Sequence, residues 1–426
     1  MKRILAGVAC WFILGQFAHS QSIYSFQGLG SLNHQGMPNN VGMGEVGIGS
    51  PTLWHINTQN PANLVYNTFS TFQAGLEIDR RSFSGTDVSG TDADGGLRFL
   101  GYAFPIMPGK WSSSIGLLPY SSVSYNTFSE SEVTGVDGVR QVSDNRGEGG
   151  LTNFFWANGF RIKNKFLVGI KATYTFGAID KSSNIFLFEQ REVISEGDTS
   201  LVNVSIGNPI AFSEQKSYSD LSVLFGFGYR HKLSEEAFLN FGAIYSPKSP
   251  LNGNSEISLI RLSNSGGEIE TVPVSDEKIQ FDLPRTIGFG MSYEKLNQYK
   301  IGFDIEASGW GSAGESAQQY NNSYKIAVGA EYVPNYNDVN SYWKRTKYSA
   351  GFNYHKLPYI VNNQALTDFG INFGASLPVS GFSSMDLAFK WGQLGESSNG
   401  LIKETYYKVV IGATINDRWF IKRKYD

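Results

Sequence analysis

Alternation with a period of two runs through this chain from Phe69 almost to its end, and it narrows the possible folds more than any other property. The stretch Thr367–Trp391 shows it in full. Phe369, Ile371, Phe373, Ala375 and Leu377 are separated by Gly370, Asn372, Gly374 and Ser376. Pro378-Val379-Ser380-Gly381 reads as a tight turn. Met385, Leu387, Phe389 and Trp391 then alternate with Asp386, Ala388, Lys390 and Gly392. Successive side chains of a strand point to opposite faces, so each run has one apolar face and one small or polar face. One such hairpin suits a soluble sandwich equally well. The number of runs and the spacing between them decide the environment.

Fourteen runs of this kind follow Phe69, at about 69–78, 97–105, 111–129, 151–162, 166–178, 217–231, 237–247, 279–294, 299–308, 322–333, 346–356, 367–378, 381–391 and 404–414. Every second connection is short: 106–110, 163–165, 232–236, 295–298, 334–345 and 379–380. The others, 79–96, 130–150, 179–216, 248–278, 309–321, 357–366 and 392–403, are longer and polar. Short turns at one end and long loops at the other are the pattern of an up-and-down transmembrane β-barrel. An even strand count returns both chain ends to the short-turn side. The apolar faces end in tyrosine, as in Tyr348-Ala350-Phe352-Tyr354 and Tyr324 through Tyr332, which suits a lipid-facing band with interfacial aromatics. The opposite faces carry Asp304, Glu306, Lys325, Glu331, Asp386 and Lys390. A sandwich core rarely takes so many inward charges. The expected fold is therefore all-β, a closed antiparallel barrel of about 14 strands.

Composition agrees. Beyond the N-terminus no apolar run approaches the length of a spanning helix, whereas 14% of residues are aromatic and 48 are glycine. No linker or low-complexity segment divides the chain. Lys2, Arg3, the apolar run Ile4–Leu14 and Ala18-His19-Ser20 before Gln21 read as a secretory signal peptide, too short for a membrane anchor. Removing it takes the formal charge from −3 to −5, with no nucleic-acid signature, and takes away the single cysteine, Cys10. The expected organisation is 1–20 signal peptide, 21–66 an irregular glycine-rich segment, and 67–426 the barrel with a short basic C-terminal tail.

No residue set calls for catalysis. His34, His55, His231 and His355 are scattered without metal-ligand spacing, and a serine beside His231 or His355 reads more simply as lumen lining. The glycines of 42–49 are not a phosphate loop, since no Lys-Ser/Thr follows. No cofactor, no metal and no catalytic residue is expected. Two features stand out. Residues 21–66 carry Ile23, Phe26, Met43, Val46, Leu53, Trp54 and Ile56, enough to pack inside a wall. Pro119 lies within the third run, where it cannot donate to a ladder and marks a bulge, an edge or a break.

Several segments resemble the FadL family of outer-membrane transporters for hydrophobic compounds, in its Bacteroidota branch, which includes PorV-like relatives. They are Gly42-Met43-Gly44-Glu45, then Asn60-Pro61-Ala62-Asn63-Leu64, the strand start Leu283-Pro284-Arg285-Thr286-Ile287-Gly288-Phe289-Gly290, Thr367-Asp368-Phe369-Gly370, and the ending Asn416–Tyr425. The resemblance implies a 14-stranded outer-membrane barrel with both ends periplasmic. It implies an N-terminal hatch in the lumen holding Gly42, Met43, Gly44, Glu45, Asn60, Pro61 and Ala62. It also implies a lateral opening at a kinked third strand, at Leu117, Leu118, Pro119 and Tyr120. The partners implied are outer-membrane lipid and hydrophobic small molecules, or other outer-membrane and periplasmic proteins. Two functions compete on this reading: a channel for small hydrophobic molecules, and a non-transporting accessory barrel of a protein export or assembly complex. An apolar cavity above the hatch favours the first, and a polar, filled lumen the second.

Overall fold

The computed structural model describes residues 22–85, 89–136, 138–163, 165–195, 198–313, 320–397 and 400–418. Fourteen antiparallel strands form the wall. They are β1 (Ser70–Ser84), β2 (Ser89–Met107), β3 (Trp111–Glu132), β4 (Val139–Ile162), β5 (Phe166–Ser195), β6 (Ile210–Lys232), β7 (Ala237–Ser246), β8 (Thr286–Lys295), β9 (Tyr299–Ser308), β10 (Ser323–Tyr332), β11 (Lys347–Val361), β12 (Gln364–Ser380), β13 (Ser383–Leu394) and β14 (Lys403–Asp417). Neighbours in sequence pair throughout, and β14 closes on β1 from Lys403↔Ser84 to Asp417↔Ser70. Closure joins the first strand to the last, so the sheet has no terminal edge, the condition for a sheet to stand in hydrocarbon.

The alternation of the sequence becomes the two faces of this wall. Phe373 is 52% exposed on the outside, while its neighbour Asn372 is fully buried inside. Ile371, Met385, Leu387 and Phe389 point outward, and Gly370, Asp386 and Lys390 are buried inward. Ile301, Phe303 and Ile305 on β9 and Ile287, Phe289 and Met291 on β8 continue the exposed apolar belt. Burying such a belt in lipid fixes register, because a one-residue slip would place Asp386 and Lys390 outside. Among the described residues no helix is long and apolar enough to cross a membrane.

The long connections differ from the polar loops expected. Much of 79–96, 130–150, 179–216 and 248–278 is strand. β5 runs for 30 residues, about three times what a tilted strand needs to cross a bilayer. Asp198–Ser205 pairs back onto β5, and the hairpin of Ser249–Leu262 with Glu268–Leu283 lies against β6. Beyond the membrane both faces of a strand meet water, so the backbone ladder continues after the apolar alternation has stopped. The run 279–294 is likewise two strands. Leu283 ends one and Thr286 begins the next, with Pro284, which has no N–H to donate, between them.

The long-loop end of the lumen is filled by an apolar core. Phe281, Trp310, Tyr320 and Leu401 from the connections, with Tyr359, Leu366 and Leu394 from the ends of β11, β12 and β13, meet Tyr24 and Leu29 from the N-terminal segment. Phe281, Tyr320 and Trp310 pack ring against ring at centroid separations of 5.9 to 6.1 Å.

Candidate functional site

Residues 22–67 lie inside the barrel, and each of their short helical turns has a local cause. Pro38 starts the α-turn Pro38–Gly42 and Pro61 the 3-10 turn Pro61–Tyr66, the position at which a missing N–H costs nothing. Asn60 caps the second turn through Ala62 N. Its Nδ2 also donates to Ile48 O at 2.9 Å and to Phe227 O on β6 at 3.0 Å. The segment approaches the wall so closely that only glycine fits at several inward positions. A Cβ at Gly242 would lie 2.0 Å from Ile48 O, and one at Gly329 would lie 2.0 Å from Met43 O. Met43 packs with Val46 and Ala327, and Gly42 sits against Ser349 and Gly374. Gly44 and Glu45 have φ of +67° and +71°, and the backbone of Phe352 leaves Gly44 no room for a side chain.

One carboxylate holds the glycine-rich turn. Asp304, on β9 and 3% exposed, accepts from Gly47 N at 2.6 Å, Ile48 N at 2.8 Å and Gly49 N at 3.3 Å. Nothing in the spacing of the sequence marks Asp304 out from the other inward carboxylates. Consecutive N–H groups around one anion form a charge-assisted set, the strong kind of hydrogen bond.

Ion pairs fasten the rest. Glu45 meets Lys390 at 3.0 Å and Lys325 at 3.2 Å, and His34 lies 3.5 Å away. Burial opposes ionisation of Glu45, yet the charges of Lys390 and Lys325 hold its carboxyl well below the usual carboxylate range. Burial pushes His34 well below its ordinary value. Lys325 Nζ donates to His34 Nδ1 at 2.9 Å, so the ring is neutral and the lysines carry the charge. Nearer the short-turn end, His55 Nε2 lies 3.0 Å from Asp386 Oδ1, both side chains being 2% exposed. At the other end Glu404 accepts from Ser22 Oγ, Ile23 N and Arg81 Nη1 at 2.8 to 2.9 Å. Arg81 in turn binds Asp79, and Lys408 joins Glu77. Among the described residues no group of three His, Cys, Asp or Glu is placed to hold a metal ion.

The wall changes at Pro119. Among the described residues the β2–β3 ladder runs from Met107↔Trp111 to Leu100↔Leu117 and stops. β2 stays with β1, while β3 continues beside β4 with an extra residue, Tyr120, between Pro119↔Thr152 and Ser121↔Leu151. This bulge falls in the stretch where proline predicts a break. Leu118 turns inward, 2% exposed, and Leu117 stays half-buried in the last β2–β3 pair. The freed edge of β3 pairs instead with the N-terminal segment. Ser31 and Leu32 pair with Ser122 and Ser121, Asn33 N donates to Tyr120 O at 2.8 Å, and Gln35 Nε2 to Pro119 O at 3.1 Å. Ser25 Oγ bonds both N and O of Ser124.

Between this segment and the apolar core lies a chamber of about 350 Å³. Tyr120 and Leu32 line it beside Arg81, Arg98, Lys171, Lys325, Lys390 and Lys408, with Glu45, Glu77, Glu306 and Asp368 among them. Leu224, Ile244, Leu283, Trp310, Leu357 and Leu394 line it as well, so the space is mixed, with ionic groups set among apolar side chains. A smaller cleft of about 150 Å³ opens at the short-turn end between Leu53, Trp54, Tyr336, Arg345 and Phe382.

The architecture is a FadL-like 14-strand barrel. Solved structures with this fold include the CymD monoaromatic hydrocarbon channel (TM-score 0.54, 15% identity, 91% of this chain and 99% of that one). The P. putida toluene transporter TodX matches with a TM-score of 0.57 at 14% identity over 91% and 100% of the two chains. The Ralstonia pickettii toluene transporter TbuX matches with 0.55 at 14% over 90% and 99%. No curated protein sequence matches. The family model described as BamG matches residues 1–426, and the chain belongs to the BamG family.

Proposed function

We propose that this protein is an outer-membrane barrel, both ends periplasmic, that serves as a non-transporting accessory subunit of a protein export or assembly complex. Residues 21–66 act as its hatch, through Gly42, Met43, Gly44, Glu45, Asn60, Pro61 and Ala62. One observation carries the reading: the N-terminal segment and an apolar core both lie across the lumen, and the space between them holds many ionic side chains. A hydrocarbon entering from the long-loop end would meet the Trp310–Tyr359 core. Past it, the molecule would enter a chamber in which lysines, arginines and carboxylates interrupt the apolar lining. Moving an apolar molecule there gains little, since displacing water from ions is costly. The BamG family match points the same way. The test is uptake of a radiolabelled monoaromatic hydrocarbon by cells with and without the protein, beside the quantity of other barrels in their outer membranes. Unchanged uptake with depleted barrels is expected. Reduced uptake with normal barrels would reverse the assignment.

A second reading keeps the channel. The ladder break at Pro119 and the chamber behind it favour a lateral exit at Leu117, Leu118, Pro119 and Tyr120 for small hydrophobic molecules. It requires the N-terminal segment to release its bonds to residues 119–124. Replacement Pro119→Val restores a donor and allows the ladder to extend; hydrocarbon uptake falls if the exit operates.

A further inference from the structure

The short-turn end carries a surface that sealing the barrel does not use. Its turns are brief except 333–346, which is ordered by its own bonds. Asn335 N donates to Lys344 O at 2.8 Å, and Asp338 accepts from Asn340 N and Ser341 N at 2.9 and 2.8 Å. The ordered turn holds Val339 84% exposed and Trp343 65% exposed. Beside it the cleft of about 150 Å³ has an apolar floor of Leu53, Trp54 and Phe382. A cavity of this size accommodates a benzene ring in an engineered protein core. Trp54 is fixed there, stacked on Phe382 at 5.0 Å and on Phe69 at 5.4 Å.

The carboxylates that line the cleft are already paired, Glu294 with Arg230 and Lys300, and Glu331 with Lys300 and Lys347. Lys110, Lys163, Lys165, Lys295, Arg345 and Arg418 have no carboxylate partner among the described residues, and Lys295 and Arg345 line the cleft. Glu235 and Asp338 are already taken by Lys232 and Lys344, at 2.6 and 3.1 Å. The other end is the reverse. Its hairpin 249–283 carries Glu256, Glu268, Glu270, Asp276, Glu277 and Asp282 against Arg261 and Lys278.

We infer that this cleft and the turn 333–346 dock an acidic segment of a periplasmic protein, which inserts one large apolar side chain over Trp54 while its carboxylates meet Arg345 and Lys295. The inference rests on the accessory reading. The cleft opens at the mouth, beside residues of the N-terminal segment, so its occupant arrives from the aqueous side and not from the bilayer. The chain's own tail, with Lys422, Arg423 and Lys424, repeats the charge of the cleft and is a poor match. An ordered apolar turn beside cations without a carboxylate partner is a preorganised surface, which lowers the entropy cost of binding, and rim charges steer and select the partner.

The test places p-benzoylphenylalanine at Tyr336 in the full chain, irradiates growing cells and maps the crosslinked peptide by mass spectrometry. A single partner protein, joined at an acidic segment, is expected. Its yield should fall at least fivefold in Lys295→Glu/Arg345→Glu and recover in Arg345→Lys, with heat-modifiable migration showing that each barrel has folded. Crosslinks only to lipid, only to residues 419–426, to a protein segment without acidic residues, or unaffected by charge reversal would overturn the inference, as would none at all. If mild extraction still yields a protein complex when Tyr336 captures nothing, the docking surface fails while the accessory function stands.

Discussion

Removing the carboxylate of Asp304 should loosen the N-terminal segment without unfolding the wall. Three backbone N–H groups converge on it at 2.6, 2.8 and 3.3 Å. A hydrogen bond to a charged group contributes about 1.5–3 kcal/mol, and such contributions are not additive within one cluster. Water entering the vacated site in Asp304→Ala offsets part of the loss, so the attachment of Gly47–Gly49 should weaken by about 3–5 kcal/mol. At about 1.4 kcal/mol per factor of ten, the detached population rises roughly 140- to 3,700-fold. Asp304→Asn keeps one acceptor and should cost about 1–2 kcal/mol. β9 keeps its pairs with β8 and β10 in both variants. The assay uses Ser50→Cys, 6% exposed at that residue in the native chain, in a protein whose single cysteine lies at Cys10. Labelling by a membrane-impermeant maleimide should be slowest with the native Asp304, faster in Asp304→Asn and fastest in Asp304→Ala. Rates within twofold of the parent, in barrels that remain heat-modifiable, would refute the claim that this carboxylate anchors the segment.

Other expectations follow from the same geometry. Gly242→Val and Gly329→Val place side-chain atoms against Ile48 O and Met43 O, and each should speed labelling of the same cysteine tenfold or more while outward Ile301→Val leaves it unchanged. Deleting Gln21–Tyr66 should convert a silent barrel into one that conducts in planar bilayers; equal conductance before and after would show that the segment seals nothing. Acid should loosen the segment through His34. Its folded value is depressed, so below about pH 6.5, the ordinary histidine value, the released segment binds a proton that the docked one refuses, and stability falls with pH. Glu45 works in the same direction but at lower pH, because its carboxyl is held well below the usual range. Relative to an exposed cysteine on the same barrel, whose thiolate fraction falls equally with pH, Ser50→Cys labelling should therefore rise between pH 7.5 and 5.5, and His34→Gln should flatten that rise.

The wall was legible in the sequence because hydrocarbon outside and a packed lumen inside force opposite demands on alternate residues. Phe369 to Leu377 and Met385 to Phe389 show it without ambiguity. Two things were hidden. Strand pairing above the membrane leaves no apolar alternation, so residues 249–278 of the hairpin read as loop. The inward glycines were visible only as small residues, although Gly242 and Gly329 are places where another backbone must pass. Of the candidate site, Pro119 announced a break through its missing donor, and Gly42–Glu45 and Asn60–Ala62 stood out as motifs. Asp304, Lys325, Lys390 and the His55–Asp386 pair did not, because partners more than 200 residues apart leave no spacing to read.

The central claim, a sealed barrel working as part of a complex, meets its most direct test in native mass spectrometry after extraction in a mild detergent. That single measurement weighs protein partners and small bound molecules together. The account predicts the barrel in fixed stoichiometry with one or more other proteins and without an apolar ligand in its lumen. A barrel recovered alone, carrying a hydrocarbon or other small apolar molecule, would contradict it.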